Sequence, residues 1–390
     1  MVLSLGILLL VAYLLGKGAE KLGLPALIGM MVAGMILGPF GLSILEPQLL
    51  AISADLRRMA LIVILLRAGM GLSLSDIKMM GPAALFMSFV PASFELLGAR
   101  LLGPWFLDLT GGQAVLAGSI LAAVSPAVVV PAMLGLIQSN RGQTRRVPQL
   151  VLFGAALDDV FVMVAFSGLL QVVQTGQYTN TAWIEIPLSI LSGLVMGWGL
   201  GWVLAKFAGP YQKDPTQKTM VILSIAFILS GLEGFLSAFV PFSGLLAVMV
   251  LGLALKHYAQ EAYQVTLVQL EGIWQFGALL LFGLVGASVD LAMGLATGPR
   301  LIGFVLLLLI FRSFGVLLSL VGSKLTLKEK IFVMIAYSPK ATVQAAIGGI
   351  PLALGLPKGQ LILTLAVTAI LVTAPLGSWA IHRFGPSLLD

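Results

Sequence analysis

A chain of 390 residues that is 59% hydrophobic and only 10% charged, against roughly 25% charged in ordinary soluble domains, excludes a water-soluble globular protein. The absence of cysteine excludes disulfides, thiolate metal sites and Cys nucleophiles, and two histidines, His257 and His382, leave metalloenzyme chemistry almost without ligands. The net charge of +6 is scattered over short loops, as membrane topology dictates, so a nucleic-acid partner is not expected.

A membrane-crossing helix needs about 20 mainly apolar residues. Apolar runs recur from end to end with short polar breaks, which predicts an all-α polytopic membrane protein in one membrane domain, 1–390. The first run, "MVLSLGILLLVAYLLG", has no basic n-region and no A-x-A cleavage site, so it reads as a retained helix and not a signal peptide. About thirteen spans follow in order, beginning near Met1, Leu24, Leu56, Gly81, Gln113, Val147, Trp183, Thr219, Pro241, Thr266, Leu301, Lys328 and Gln360. The stretch "AFVPFSG" around Pro241 is compatible with one long helix or two short ones.

Alternate loops differ in basic residues. One set carries fourteen Lys and Arg, among them Lys78, Arg141, Arg145, Arg146, Lys213 and Arg383, and the other carries five, Arg57, Arg58, Arg100, Arg300 and Lys358. The richer set is expected to be cytoplasmic, with the N-terminus outside and the C-terminus inside. Three basic residues, Arg67, Arg312 and Lys340, have no loop to sit in.

Glu95, Asp158, Asp159, Arg312 and Lys340 each lie about 11 to 14 residues into a predicted helix, roughly 17 to 20 Å at 1.5 Å per residue. A charge near the bilayer midplane costs several kcal/mol, so such residues face a bundle interior or a wet cavity and mark ion or proton paths. Pairing alone would explain Glu95 with Arg312, two charges holding helices together. It fits "VLFGAALDDVFVMVAFSGLL" less well, because adjacent residues on a helix point about 100° apart and one base cannot neutralise both Asp158 and Asp159 cheaply. Arg67, in "LIVILLRAGMGLSL", reads as a structural or interfacial charge, while Glu233 and Glu271 fall nearer segment ends, where water is in reach.

Two stretches put Ser-Pro at the same depth: "AAVSPAVVVPAMLG" (Ala122 to Gly135) and "IAYSPKATVQAAIGG" (Ile335 to Gly349). Pro126 and Pro339 each remove a backbone donor and break the helical ladder, which at this depth is tolerated where the chain is buried in protein or lines a cavity. Glu95 precedes Pro126 by 31 residues and Arg312 precedes Pro339 by 27, each on the preceding span, and a further span follows each break. In the first copy that span carries the Asp pair; in the second the equivalent point has Thr368 and Thr373. The copies are seven spans apart, an odd number, so they run in opposite directions: inverted repeats with two crossed discontinuous helices, a secondary-transporter architecture. Lys340, one residue past the second break, can offset the negative carbonyl ends gathered at such a crossing.

With "LLRAGMGL" (Leu65 to Leu72), "SPAVVVPAML" (Ser125 to Leu134), "ALDDV" (Ala156 to Val160), "LKEKIF" (Leu327 to Phe332) and "SPKATVQAAIGG" (Ser338 to Gly349), the chain resembles the monovalent cation:proton antiporter superfamily, and within it the NHA-type sodium/proton exchangers. The resemblance implies a Na⁺ or Li⁺ for H⁺ exchanger of the cell's inner membrane, acting in pH homeostasis as a homodimer with no cofactor. It implies Asp159 as the main cation and proton carboxylate, Asp158 as its partner in holding Na⁺, and Ser125 on the broken helix as a further oxygen ligand. A core bundle of approximately 81–175 and 300–385 would move against a scaffold of approximately 1–80 and 183–290. Two-aspartate electrogenic relatives carry lysine where this chain has Arg312, and an arginine that stays protonated cannot carry a proton, so Glu95 becomes its expected salt-bridge partner and the charge balance of transport is left open.

In that reading either a proton or a small cation neutralises the pair, and only the neutralised core moves. Hard oxygen ligands suit Na⁺ or Li⁺, with K⁺ still open. A sodium-coupled solute symporter can share such a fold. An intramembrane aspartyl protease needs its two acids on different helices, which adjacent aspartates do not provide, and a cation channel fits poorly with Arg312 and Lys340 at the depth of the acids.

Overall fold

The computed structural model describes residues 1–71, 81–175, 182–211, 214–236 and 239–389; Leu72, Lys78 and Lys213 of the motifs and loops above lie outside them. Every regular element among these residues is helical. In chain order the first are α1 (Val2–Lys21), α2 (Ala26–Leu37), α3 (Pro47–Ala51), α4 (Ser53–Gly71), α5 (Gly81–Met87) and α6 (Val90–Leu107). Then come α7 (Gly111–Leu121), α8 (Pro126–Gln138), α9 (Val147–Thr175), α10 (Ala182–Tyr211), α11 (Pro215–Gly231), α12 (Glu233–Leu236) and α13 (Gly244–Tyr258). The last are α14 (Gln260–Ala287), α15 (Leu291–Ser319), α16 (Leu327–Ala336), α17 (Thr342–Ile347), α18 (Ile350–Ala353) and α19 (Gly359–Leu388). Among the described residues, 8 helices are long and apolar enough to cross a membrane, and shorter apolar helices of 10–17 residues include Ala26–Leu37, Gly111–Leu121 and Gly244–Tyr258. The chain is a polytopic helical membrane protein.

Two compact units form, one from Met1–Leu56, Met80–Val162 and Leu279–Asp390, the other from Arg57–Met79 and Met163–Ala278. In the second unit α10 meets α13 along Gly193, Gly197 and Gly201, one residue per turn, where a Cβ would strike Ser243 O, Ala247 O and the Ala254 methyl in turn. Small residues at this spacing let two backbones approach, which is how helices associate where lipid removes the hydrophobic drive. Arg67 forms an ion pair with Glu271, and Arg58 pairs with Glu233 at 3.3 Å while donating to Ser230 O at 2.7 Å. Both acids keep some exposure. The Pro241 region resolves into separate helices: α13 starts anew at Gly244, where the Ser243 hydroxyl accepts from Leu246 N–H.

In the first unit α6 is the hub. A Cβ at Gly118 of α7 would lie 2.5 Å from Ala99 Cβ, and one at Gly103 of α6 2.6 Å from Ala114 Cβ, so these two helices touch nearly backbone to backbone. On another face, a Cβ at Gly98 would meet the Phe311 ring at 2.7 Å, and one at Gly315 of α15 would meet Pro91 Cα at 2.7 Å. Both discontinuous helices begin with a capping box, Thr110 with Gln113 for α7 and Thr326 with Glu329 for α16. Each box satisfies orphan N–H groups at the outer end of a helix that stops halfway.

Candidate functional site

The packing just described fixes where charges can lie. Glu95 sits one turn before Gly98 and Ala99 on α6, and Arg312 one turn before Gly315 on α15, so the close contacts at the glycines bring these side chains together. They meet beside the gap between α7 and α8, residues 122–125, and the gap between α16 and α17, residues 337–341. The two gaps are joined directly: Ser125 N–H donates to Pro339 O at 2.9 Å.

Helix breaks leave backbone groups without partners, and burying them unpaired is costly. Here many find one. The Leu121 carbonyl accepts from Lys340 Nζ and from Gln344 Nε2 at 3.2 Å, Ala122 O accepts from Arg312 Nη1, and Ala123 O accepts from Gln344 Nε2 at 2.9 Å. Val124 N–H donates to Asp158 Oδ2 at 3.2 Å. In the second gap Tyr337 O accepts from Arg312 Nε at 2.8 Å and Lys340 N–H donates to Thr373 Oγ1 at 2.9 Å. Gly377, one turn after Thr373, permits that approach, since a Cβ there would lie 2.5 Å from Pro339 Cγ. Negative carbonyl ends thus face two cationic side chains and an amide, and the buried Val124 N–H faces a carboxylate, the pairing that helix-end dipoles favour.

The same side chains close an ionic net. Arg312 Nη1 pairs with Glu95 Oε2 at 3.0 Å and Nη2 with Asp158 Oδ2 at 2.6 Å, while Lys340 Nζ pairs with Glu95 Oε1 at 2.7 Å. Glu95, Asp158 and Lys340 have no exposure and Arg312 has 1%. Asp159 stands apart. It is buried to 5% exposure, and among the described residues it has neither ion pair nor hydrogen bond; its Oδ1 is unpartnered, as is Asp158 Oδ1. Ser125 Oγ and Tyr337 OH are likewise buried without a partner. Counting formal charges, three acids face two bases, and one negative charge is left over.

The site residues expected from the sequence, Glu95, Ser125, Pro126, Asp158, Asp159, Arg312, Pro339 and Lys340, fall in this one compact unit, whereas Arg67, Glu233 and Glu271 lie in the other. Pro126 opens α8 as its first residue, and Pro339 lies within the second gap. The pairing of Arg312 with Glu95 is present, but Arg312 also holds Asp158, so the two aspartates have unequal surroundings that adjacency alone does not reveal. The sequence reading passed over Gln344 and Tyr337. Gln344 had a usable signal, a lone amide one helical turn after Lys340, whereas Tyr337 had none, because a tyrosine beside Ser-Pro is ordinary.

The model of the family described as "Sodium/hydrogen exchanger, transmembrane" matches residues 6–384. Among curated proteins the chain is similar to human sodium/hydrogen exchanger 9B2, at 31% identity over 383 residues, covering 94% of this chain and 70% of that protein. It is also 31% identical over 387 residues to human sodium/hydrogen exchanger 9B1, covering 94% of this chain and 73% of that one, and 32% identical over 383 residues to the 9B2 exchanger of Xenopus tropicalis, covering 93% and 69%. Among solved structures, the sodium proton antiporter MjNhaP1 of Methanocaldococcus jannaschii superposes with a TM-score of 0.87 at 22% identity, covering 98% of this chain and 97% of that one. Matched along nearly its whole length, the chain belongs to the sodium/hydrogen exchanger family.

Proposed function

We propose that the protein exchanges Na⁺ or Li⁺ for H⁺ across the inner cell membrane by alternating access, with Asp159 as the carboxylate that takes cation and proton in turn. Membership of the sodium/hydrogen exchanger family supports the exchange itself, in which the ions are substrates and no cofactor takes part. One observation carries the assignment to Asp159: its neighbour Asp158 is engaged by Arg312 and Val124 N–H, while Asp159 is buried and without a charge partner among the described residues. An uncompensated buried carboxylate is expensive and takes up whichever positive ion arrives.

The residual charge of the net supports a one-for-one exchange. One proton or one monovalent cation brings the five groups to neutrality, and neutrality lowers the cost of carrying them through the membrane interior. Arg312, Glu95 and Lys340 then hold fixed charge, and Asp158 and Ser125 add oxygens around the ion. The moving core in this reading is approximately 81–175 and 300–385, which contains all six of these polar residues, and the scaffold is approximately 1–80 and 183–290. The thirteen-span topology is supported by helices beginning close to the expected starts, the largest difference being α15, which begins at Leu291 against an expected Leu301. The N-outside, C-inside orientation rests on the loop charges and the homodimer on the family resemblance.

The test is transport by the purified protein in liposomes. Proton flux that depends on Na⁺ or Li⁺ is expected, and Asp159→Asn should abolish it. Flux driven only by K⁺, cation uptake that requires an organic solute, or normal exchange by Asp159→Asn would each overturn the reading.

A further inference from the structure

Tyr337 is fully buried, and its hydroxyl has no hydrogen-bond partner among the described residues. Such groups are rare in protein interiors and call for a reason. Packing does not supply one, because a phenylalanine ring would fill the same space and would equally lie under the Arg312 guanidinium, whose Cζ is 5.4 Å from the ring centre. The backbone of the residue is held too, by the bond from Arg312 Nε to Tyr337 O. The hydroxyl is therefore delivered to a fixed place on α9: a Cβ added at Gly154 would overlap it.

Gly154 and Asp158 are four residues apart on α9, neighbours on one helix face. Asp158 Oδ2 is occupied by Arg312 and Val124, but Oδ1 is not, and it makes no hydrogen bond to the tyrosine hydroxyl. A neutral hydroxyl oxygen and a carboxylate oxygen, both unpartnered, thus share one face of the helix that carries the Asp pair. Hard, uncommitted oxygens are what a small alkali cation requires in place of its water shell. We propose that the Tyr337 hydroxyl is an oxygen ligand of the transported cation, delivered from the second helix break to the carboxylate pair, with Gly154 as the residue that admits it. The inference rests on the exchange reading above and adds to it a neutral ligand from the opposite repeat.

A neutral ligand binds the cation and not the proton, so its loss separates the two. In liposomes, Tyr337→Phe is expected to raise the half-saturating Na⁺ concentration by about fivefold, the scale of one lost polar contact, and to do so by more than it lowers the maximal rate. Gly154→Ala should raise it in the same direction in the Tyr337 protein and add less in the Tyr337→Phe background, where the overlap with the hydroxyl is gone and only the closer packing on Met87 Cβ at 3.1 Å and the ring Cζ at 3.2 Å remains. Unchanged half-saturating Na⁺ in Tyr337→Phe, or a loss confined to the maximal rate, overturns the inference, as does equal damage by Gly154→Ala in both backgrounds. Asp159→Asn, run in parallel, tests the exchange reading separately: an inactive Asp159→Asn beside an unaltered Tyr337→Phe removes the tyrosine alone.

Discussion

Arg312 Nη2 reaches Asp158 Oδ2 at 2.6 Å and leaves the adjacent Asp159 without a counter-charge, although both carboxylates are buried. Two consecutive residues of the same type thereby acquire opposite energetic roles. Asp158 belongs to a compensated net, and Asp159 is the uncompensated member.

That difference is measurable as stability. Asp159→Asn removes a buried charge with no partner, so the variant should unfold at a temperature equal to or above that of the parent while losing transport. Asp158→Asn leaves Arg312 short of a carboxylate and should cost about 3–5 kcal/mol, the usual penalty for breaking a buried pair from one side. Thermal unfolding in detergent of the two variants side by side tests this, and equal destabilisation would contradict it.

Arg312→Lys conserves charge but not geometry. The guanidinium spreads its donors over Tyr337 O, Glu95, Ala122 O and Asp158, and a lysine ammonium is a single point with three donors. The variant should lose at least two of these bonds, at about 1.5–3 kcal/mol for each bond to a charged group, and should recover little of it in a Glu95→Gln background, where one of the partners is already weakened. A double-mutant cycle on unfolding temperature reads the coupling.

Gln344→Leu deprives Ala123 O of its donor while Leu121 O keeps Lys340. One newly orphaned buried carbonyl predicts a loss of about 1–3 kcal/mol. Gln344→Glu should be worse than Gln344→Leu, because it places a carboxylate against carbonyl oxygens. Both are read by unfolding of the purified protein.

At the outer end of α16, Thr326 Oγ1 accepts from Glu329 N–H at 3.3 Å, and the Glu329 carboxylate accepts from Thr326 N–H at 2.7 Å and from Arg145 at 3.0 Å. Thr326→Ala should cost about 1 kcal/mol through the lost cap and leave the half-saturating Na⁺ concentration unaltered, since the cap lies at the far end of the helix from the break. A changed Na⁺ dependence would mean that the cap and the site are coupled.

With one leftover charge in the net, exchange of one cation for one proton moves no net charge. The initial rate in liposomes should then be the same with the membrane potential clamped at zero or imposed by a potassium gradient and an ionophore. A rate that changes steeply with potential would contradict one-for-one exchange and require a second proton.

The membrane class, the succession of helices and the two breaks were legible in the sequence, because bilayer thickness and the missing proline donor act locally and leave marks in consecutive residues. Glu95 and Arg312 were legible as partners because charges at matched depth in an apolar medium must find each other. Gln344 and Tyr337 were not, because an amide donating to Leu121 O and Ala123 O, or a hydroxyl lying on Gly154, is a relation between segments far apart in the chain.

The sequence by itself therefore determined that carboxylates and bases stand in the membrane beside two interrupted helices, since composition and spacing suffice for that. Only the tertiary structure decided which aspartate is compensated. Neighbouring side chains on a helix point about 100° apart, and with α6 packed at its glycines on α7 and α15, Arg312 forms its ion pair with Asp158 and, among the described residues, none with Asp159.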